Sequence, residues 1–435
     1  MAAPTVESRP STAEANVFTI KAATLKFETR DDILPHLGLL IDNPDVEEVH
    51  LSGNTYGVEA CKFLAEILAT KKNLKVAQFA DIFSTRLRTE IPQSLDYILT
   101  AILNHPKLHT IDLSDNAFGL TVQEPLIKFF SSHLPLEHLI LTNNGMGHEA
   151  GSNLAKALAI LADAKLSSVA TTIHDASAPN GTPTSSPPLK TFICGRNRLG
   201  DGPMTFWAKC FQANRHLTTI RMPQNGIRPD GITDILRNGV IHDHDLQVFD
   251  FQDNTFTLKG AMALVDILPE LPNLVDLGIG DCLLSARGGI ILAEALKKAT
   301  NTKLEHIRLN YNEIDLKGAK ELFTAVKLGI PRLKRLELNG NKFAEDDEVV
   351  EEFRSLFMER GFGELDELDE MEEMSESEEE EEENEEESGD EGLGHAHGAR
   401  DILRKETAAE EGENVAPEKD KETDDLAEML KKTSI

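Results

Sequence analysis

The segment Thr142-Asn143-Asn144-Gly145 sets two side-chain amides next to each other, and Arg86 and Arg88 lie together in the segment ADIFSTRLRTEIP. An amide both donates and accepts hydrogen bonds, so it can orient a reacting group, while a guanidinium binds carboxylates and phosphates. Either type is ordinarily no more than a solvated loop residue. Self-contained chemistry has no carrier in this chain. There is no GxxxxGK[ST] phosphate loop, no GxGxxG, no GxSxG and no HExxH. The 14 histidines are scattered, and the pair His395 and His397 in GHAHG is read as chance rather than as a metal site. Acidic pairs are plentiful, but nothing fixes a pocket around two of them, so neither a metal nor a cofactor of its own is expected.

The elements that must position these residues come from an internal repeat, LxxLxLxxN. It reads LHTIDLSDNAFG from Leu108, LEHLILTNNGMG from Leu136, LKTFICGRNRLG from Leu189 and LTTIRMPQNGIR from Leu217. It continues as LQVFDFQDNTFT from Leu246, LVDLGIGDCLLS from Leu274, LEHIRLNYNEID from Leu304 and LKRLELNGNKFA from Leu333. Weaker copies begin at Val46 and Leu74. The L-x-L core predicts a short strand with alternate side chains inward. The terminal Asn turns the chain and bonds backbone groups of its own turn and the next coil. This ladder comprises Asn54, Asn116, Asn144, Asn197, Asn225, Asn254, Asn312 and Asn341, with Cys282 in one repeat and Ile82 in the weak one. By register Asn144 is the ladder residue, so Asn143 is the extra amide, at a position that can face outward.

Amphipathic stretches such as EPLIKFFSSHL and GAMALVDIL follow each strand at helical spacing. One unit cannot bury its own apolar face, so units must stack. The expected fold is an α/β leucine-rich-repeat solenoid, a horseshoe of the ribonuclease-inhibitor kind, with repeats mostly 28 to 30 residues apart. Two steps are irregular. From Leu74 to Leu108 it is 34 residues, which places Arg86 in an enlarged loop. From Leu136 to Leu189 it is 53, and the Ser/Thr/Pro-rich surplus predicts a disordered surface excursion over 165–188. The expected organisation is a disordered 1–16, a solenoid over 17–360, an acidic low-complexity run over 361–391 and a mixed-charge tail over 392–435.

Net charge is −31, and 19 acidic residues with no basic one lie between Glu364 and Glu391. Such a chain does not suit nucleic acid, which needs Lys/Arg clusters, and is better matched to a basic protein surface. The four cysteines form no CxxC pair, which argues for a reducing compartment. The polar start MAAPTVESRPSTAEANVF is not a secretory signal, and no run is apolar enough to span a membrane. A cytoplasmic monomer is the expectation.

The motifs FADIFSTR, LSDNAFG, QEPLI, LEHLILTNNG, CGRNRL, QNGIRPDGI, FQDNTFT, DCLLSARG, YNEI and LELNGN, followed by GELDELDEMEE, carry a dense likeness from about residue 17 to about 391. The chain resembles the Ran GTPase-activating proteins, most of all their fungal, Rna one type. The resemblance implies an activator that is not itself an enzyme. It would bind a Ran-type GTPase in its GTP form, with or without Ran-binding proteins, and accelerate hydrolysis in that partner's site, where GTP and Mg are held. In this family an asparagine positions the GTPase's own glutamine and no arginine finger is inserted. Asn143 matches that asparagine. Arg86 matches the arginine of the DIFxxR segment, for which the family implies an interface or structural role. Asp81, Arg88, Asp115, Arg196, Asp253 and Asp281, by their post-strand positions, are candidate contacts to the GTPase. Arg88 stands where relatives carry Lys, so its contact geometry is open. Two other readings fit the repeats: a binding-only leucine-rich scaffold without activation, and an acidic histone chaperone, although that class has shorter units.

Overall fold

A computed structural model describes residues 16–174, 186–298 and 300–372, with side chains left aside for 169–174. The strands are β1 (Val17–Thr19), β2 (Lys26–Phe27), β3 (Glu48–His50), β4 (Thr55–Tyr56), β5 (Val76–Gln78), β6 (Thr110–Asp112) and β7 (His138–Ile140). They continue as β8 (Thr191–Ile193), β9 (Thr219–Arg221), β10 (Val248–Asp250), β11 (Asp276–Gly278), β12 (His306–Arg308), β13 (Arg335–Glu337) and β14 (Glu364–Leu365). The helices are α1 (Arg30–Ile33), α2 (Gly38–Asp42), α3 (Val58–Leu68), α4 (Ile91–Ile102), α5 (Gln123–Phe130) and α6 (Gly147–His174). The remaining helices are α7 (Met204–Ala213), α8 (Pro229–Asn238), α9 (Thr257–Ile267), α10 (Ser285–Lys297), α11 (Leu316–Gly329) and α12 (Glu348–Arg360).

Each repeat contributes one strand and one helix. Twelve strands form one parallel sheet in chain order, β1-β3-β5 and then β6 through β14, and β2 pairs with β4 in a separate two-stranded sheet. Register repeats from coil to coil, as in Ile111 opposite Leu139 and Leu139 opposite Phe192. In most strands the middle residue is buried and its neighbours are half-exposed, so one face meets the helices and the other stays open. The leucines that open each unit are buried, each contributing about 1.5–3 kcal/mol by leaving water.

The ladder asparagines join adjacent coils. Asn144 accepts from the Asn116 amide at 3.0 Å and donates to the Leu113 and Leu141 carbonyls at 3.0 Å each. Asn197 accepts from the Asn144 amide in turn, also at 3.0 Å. Cys282, buried in the same place, keeps a weaker version through its thiol and the Phe251 and Gly280 carbonyls. A second buried column runs three residues before most of the opening leucines. There Lys71, His105, His133, Asn214 and Asn301 set nitrogens against carbonyls of the preceding helix or loop. Asp243 occupies this position in its own coil, and both of its carboxylate oxygens lack a hydrogen-bond partner.

Two expected boundaries move. The excursion expected over 165–188 does not begin at 165, because α6 continues through His174. Its sequence has no Pro or Gly before Pro179, and Ser and Thr cost a helix only a few tenths of a kcal/mol each. Lys165 is buried, and its ammonium donates to the Leu136 carbonyl and, at 2.7 Å, to the Pro187 carbonyl. Residues 175–185 lie outside the described residues. The solenoid also does not stop near Arg360. After Gly361, left-handed at φ 71°, β14 pairs with β13, and Leu368 is buried. Asp366 closes the stack by accepting from the Leu338 and Asn339 amides at 2.8 and 3.1 Å. Leu365, Leu368 and Met371 give the start of the acidic run an apolar stripe that a count of charge overlooks. The rest of that run, the tail over 392–435, the pair His395 and His397 and residues 1–15 lie outside the described residues.

Candidate functional site

The turn that follows each strand shapes the candidate site. The residue one place before the ladder position takes the left-handed conformation in coil after coil. In order these are Gly53, Asp81, Asp115, Asn143, Arg196, Gln224, Asp253, Asp281, Tyr311 and Gly340, with φ between 52° and 74°. The reversal of direction is what sends the ladder side chain inward. From Asp81 to Tyr311 each backbone N–H in the column is used by the neighbouring coil: Asp81 donates to Ser114, Asp115 to Thr142, Asn143 to Gly195 and Arg196 to Pro223, all at 2.9 Å. The side chains are left pointing out of the stack in a single file. At roughly 4.8 Å per coil, the file from Asp81 to Asp281 is about 29 Å long.

Six of the eight sequence-derived candidates stand in this file: Asp81, Asp115, Asn143, Arg196, Asp253 and Asp281. All but the half-buried Asp81, which bonds the Ser84 hydroxyl, are exposed. Gly, Asn and Asp tolerate a left-handed backbone, so their presence there has a conformational reason of its own. Arg196, Gln224 and Tyr311 have no such reason and cost the fold about 1 kcal/mol each in that conformation. Gln224 and Tyr311 were missed from the sequence, although counting one place back from each ladder residue finds both. Tyr311 bonds Glu370 of the closing coil. The Asp253 carboxyl is held above its usual range, first by burial and then by the Asp281 charge, with the neighbouring Gln224 side chain opposing the rise.

Asn143 and Asn144 point in opposite directions. Asn144 is fully buried, whereas Asn143 is exposed and donates through Nδ2 to Asp115 Oδ1 at 2.8 Å. That is its one side-chain hydrogen bond among the described residues.

Arg86 lies in the enlarged loop but turns inward, with its side chain only 6% exposed. Nε donates to Thr55 Oγ1 at 2.9 Å, Nη1 pairs with Glu28, and Glu90 stands 4.0 Å away. Gly57 leaves room for it, since a Cβ there would sit 3.0 Å from Nη1. In this conformation Arg86 braces β4 and the chain before α1 against the enlarged loop, and reaching out would break those contacts. Arg88, two residues on, is exposed. Among the described residues no group of His, Cys, Asp and Glu is arranged to hold a metal, and no helix is long and apolar enough to cross a membrane. All four cysteines are buried, and that burial pushes their thiols upward, away from the thiolate form.

A Leucine Rich repeat family model matches residues 300–323, the segment around β12 and the start of α11. Over 356 residues, 80% of this chain and 84% of the relative, the sequence is 34% identical to Ran GTPase-activating protein 1 of Saccharomyces cerevisiae. The chain belongs to the Ran GTPase-activating protein family. Within that family it is also 38% identical to Ran GTPase-activating protein 2 of Caenorhabditis elegans, over 50% of this chain and 21% of that one. To Ran GTPase-activating protein 1 of Xenopus laevis it is 37% identical, over 49% of this chain and 36% of that one.

Proposed function

We propose that this chain accelerates GTP hydrolysis on a Ran-type GTPase in its GTP form, with Asn143 holding the GTPase's own glutamine in place. The observation that carries the reading is the setting of Asn143. It is an exposed amide on a backbone tied to both neighbouring coils, inside a file of outward side chains long enough to engage a folded partner. Membership of the family supplies the partner.

Hydrolysis needs a water held in line with the γ-phosphate, and a glutamine on the GTPase orients it. A rigid amide beside that glutamine reduces its wandering, and each tenfold in rate requires only about 1.4 kcal/mol off the barrier. The chain supplies no cofactor: GTP and Mg belong to the partner, so it acts as an activator rather than an enzyme. Arg86 supports the loop beside the site rather than entering the reaction. Asp81, Arg196, Asp253 and Asp281 in the file, and Arg88 in the enlarged loop, are offered to the GTPase, with Asp115 beside Asn143. The reading places a monomer in the cytoplasm.

The test is single-turnover GTP hydrolysis on Ran with saturating activator. Because Asn143 is left-handed, Asn143→Ala removes the amide and strains the backbone together, whereas Asn143→Gly removes the amide alone. Strong acceleration by the wild type, largely lost in Asn143→Gly while binding persists, is the expected result. Binding without acceleration by the wild type would leave a scaffold, and equal acceleration by the variant would move the chemistry away from Asn143.

A further inference from the structure

Asn143 does not stand alone in its file. Its neighbour one coil back, Asp115, occupies the same turn position with the same left-handed backbone, φ 60° against 55°. The two are 28 residues apart in sequence, yet Asn143 Nδ2 lies 2.8 Å from Asp115 Oδ1. Both backbones are pinned, since the Asp115 amide donates to Thr142 and the Asn143 amide to Gly195, each at 2.9 Å. Neither residue can drift from the other without opening the stack.

An ionised carboxylate only accepts hydrogen bonds, whereas an amide has one end that donates and one that accepts. Beside Asp115 the Asn143 amide is therefore held in one of its two flips, NH2 toward the carboxylate and Oδ1 away from it. The outward oxygen can accept a hydrogen bond from the NH2 of a glutamine side chain. That would leave the glutamine's own carbonyl to accept from the attacking water. The reversed flip would present a donor to the glutamine and favour the opposite arrangement.

We propose that Asp115 is the positioning residue of the activating amide: it fixes the flip and rotamer of Asn143 so that Oδ1 faces the GTPase. This rests on the reading of Asn143 given above and assigns Asp115 a task different from contact with the partner. Hydrogen bonds to charged groups are stronger than those between neutral partners. Part of that strength is lost to solvent at an exposed site, so about tenfold in rate is the expected effect.

The experiment is a double-mutant cycle in single-turnover hydrolysis on Ran, with kcat and KM determined separately. Asp115→Gly removes the carboxylate without straining the left-handed turn, and Asp115→Asn keeps an acceptor oxygen. Expected are a roughly tenfold lower kcat for Asp115→Gly with KM unchanged, and a kcat within about threefold of wild type for Asp115→Asn. In an Asn143→Gly background, Asp115→Gly should lower kcat no further. An equal loss in that background, or a raised KM with kcat intact, would show Asp115 acting directly on the GTPase and overturn the proposal. A slowed Asn143→Gly protein beside a full-rate Asp115→Gly protein overturns it alone. A full-rate Asn143→Gly protein overturns the reading beneath it as well.

Discussion

Replacing Asp243 with Asn should stabilise the solenoid, and increasingly so as pH rises. Asp243 is completely buried, and the equivalent place in other coils holds a nitrogen donor, as with Asn214 and Asn301, each bonded to carbonyls at 2.9 Å. Burial pushes the Asp243 carboxyl up to about 9. The Leu217 amide opposes the rise without closing a hydrogen bond of normal geometry, the Asp245 charge adds to it, and Arg215 opposes it. In the unfolded chain the same carboxyl titrates near 3.9. Between about pH 4 and pH 9 the folded protein therefore holds a proton that the unfolded chain has released. Stability falls as pH rises across that window, by at most about 1.4 kcal/mol per pH unit. Asn has the same shape, does not titrate and supplies the donor that the position uses elsewhere. Relieving one unpartnered buried group is worth about 1–3 kcal/mol, a rise of a few degrees in Tm at pH 7. Thermal melts of the wild type and Asp243→Asn at pH 5, 7 and 8.5 should show a difference that widens with pH. A variant that melts lower at every pH, or a constant difference, would mean that the folded state holds a paired carboxylate, and would refute the reasoning.

The adjacent asparagines should separate stability from activity. Asn144→Ala leaves the Asn116 amide without its acceptor and takes one of two donors from each of the Leu113 and Leu141 carbonyls, so a loss of about 2–3 kcal/mol is expected in denaturant unfolding. Asn143→Gly should stay within about 1 kcal/mol of the wild type there. For Lys165, burial lowers the ammonium to about 8, so the folded chain gives up this proton before the unfolded one does. Stability should accordingly rise with pH between about 8 and 10.5, and melts of Lys165→Met across that range should lack the rise. At pH 7 the same variant should lose about 1–3 kcal/mol, because the Leu136 and Pro187 carbonyls lose their donor.

The recurrence of Leu and Asn was enough to define the coil, the strand, the ladder and the outward place of Asn143, because each follows from neighbours a few residues apart. The same register, counted one place before the ladder or three before the opening leucine, also marks Gln224, Tyr311 and Asp243 as unusual occupants. Charge and composition were poorer guides. They drew the excursion too early at 165 and ended the solenoid too soon at Arg360, because Ser and Thr tolerate a helix and a few spaced leucines suffice to seat an acidic segment. What joins one coil to another was decided only by tertiary structure. Arg86 meets Glu28 across 58 residues, and Asn143 meets Asp115 across 28. A repeat pattern states which residues share a file, but not which rotamers they adopt or which neighbour they grasp. Those depend on the parallel register of stacked coils, which brings side chains distant in sequence within hydrogen-bond reach.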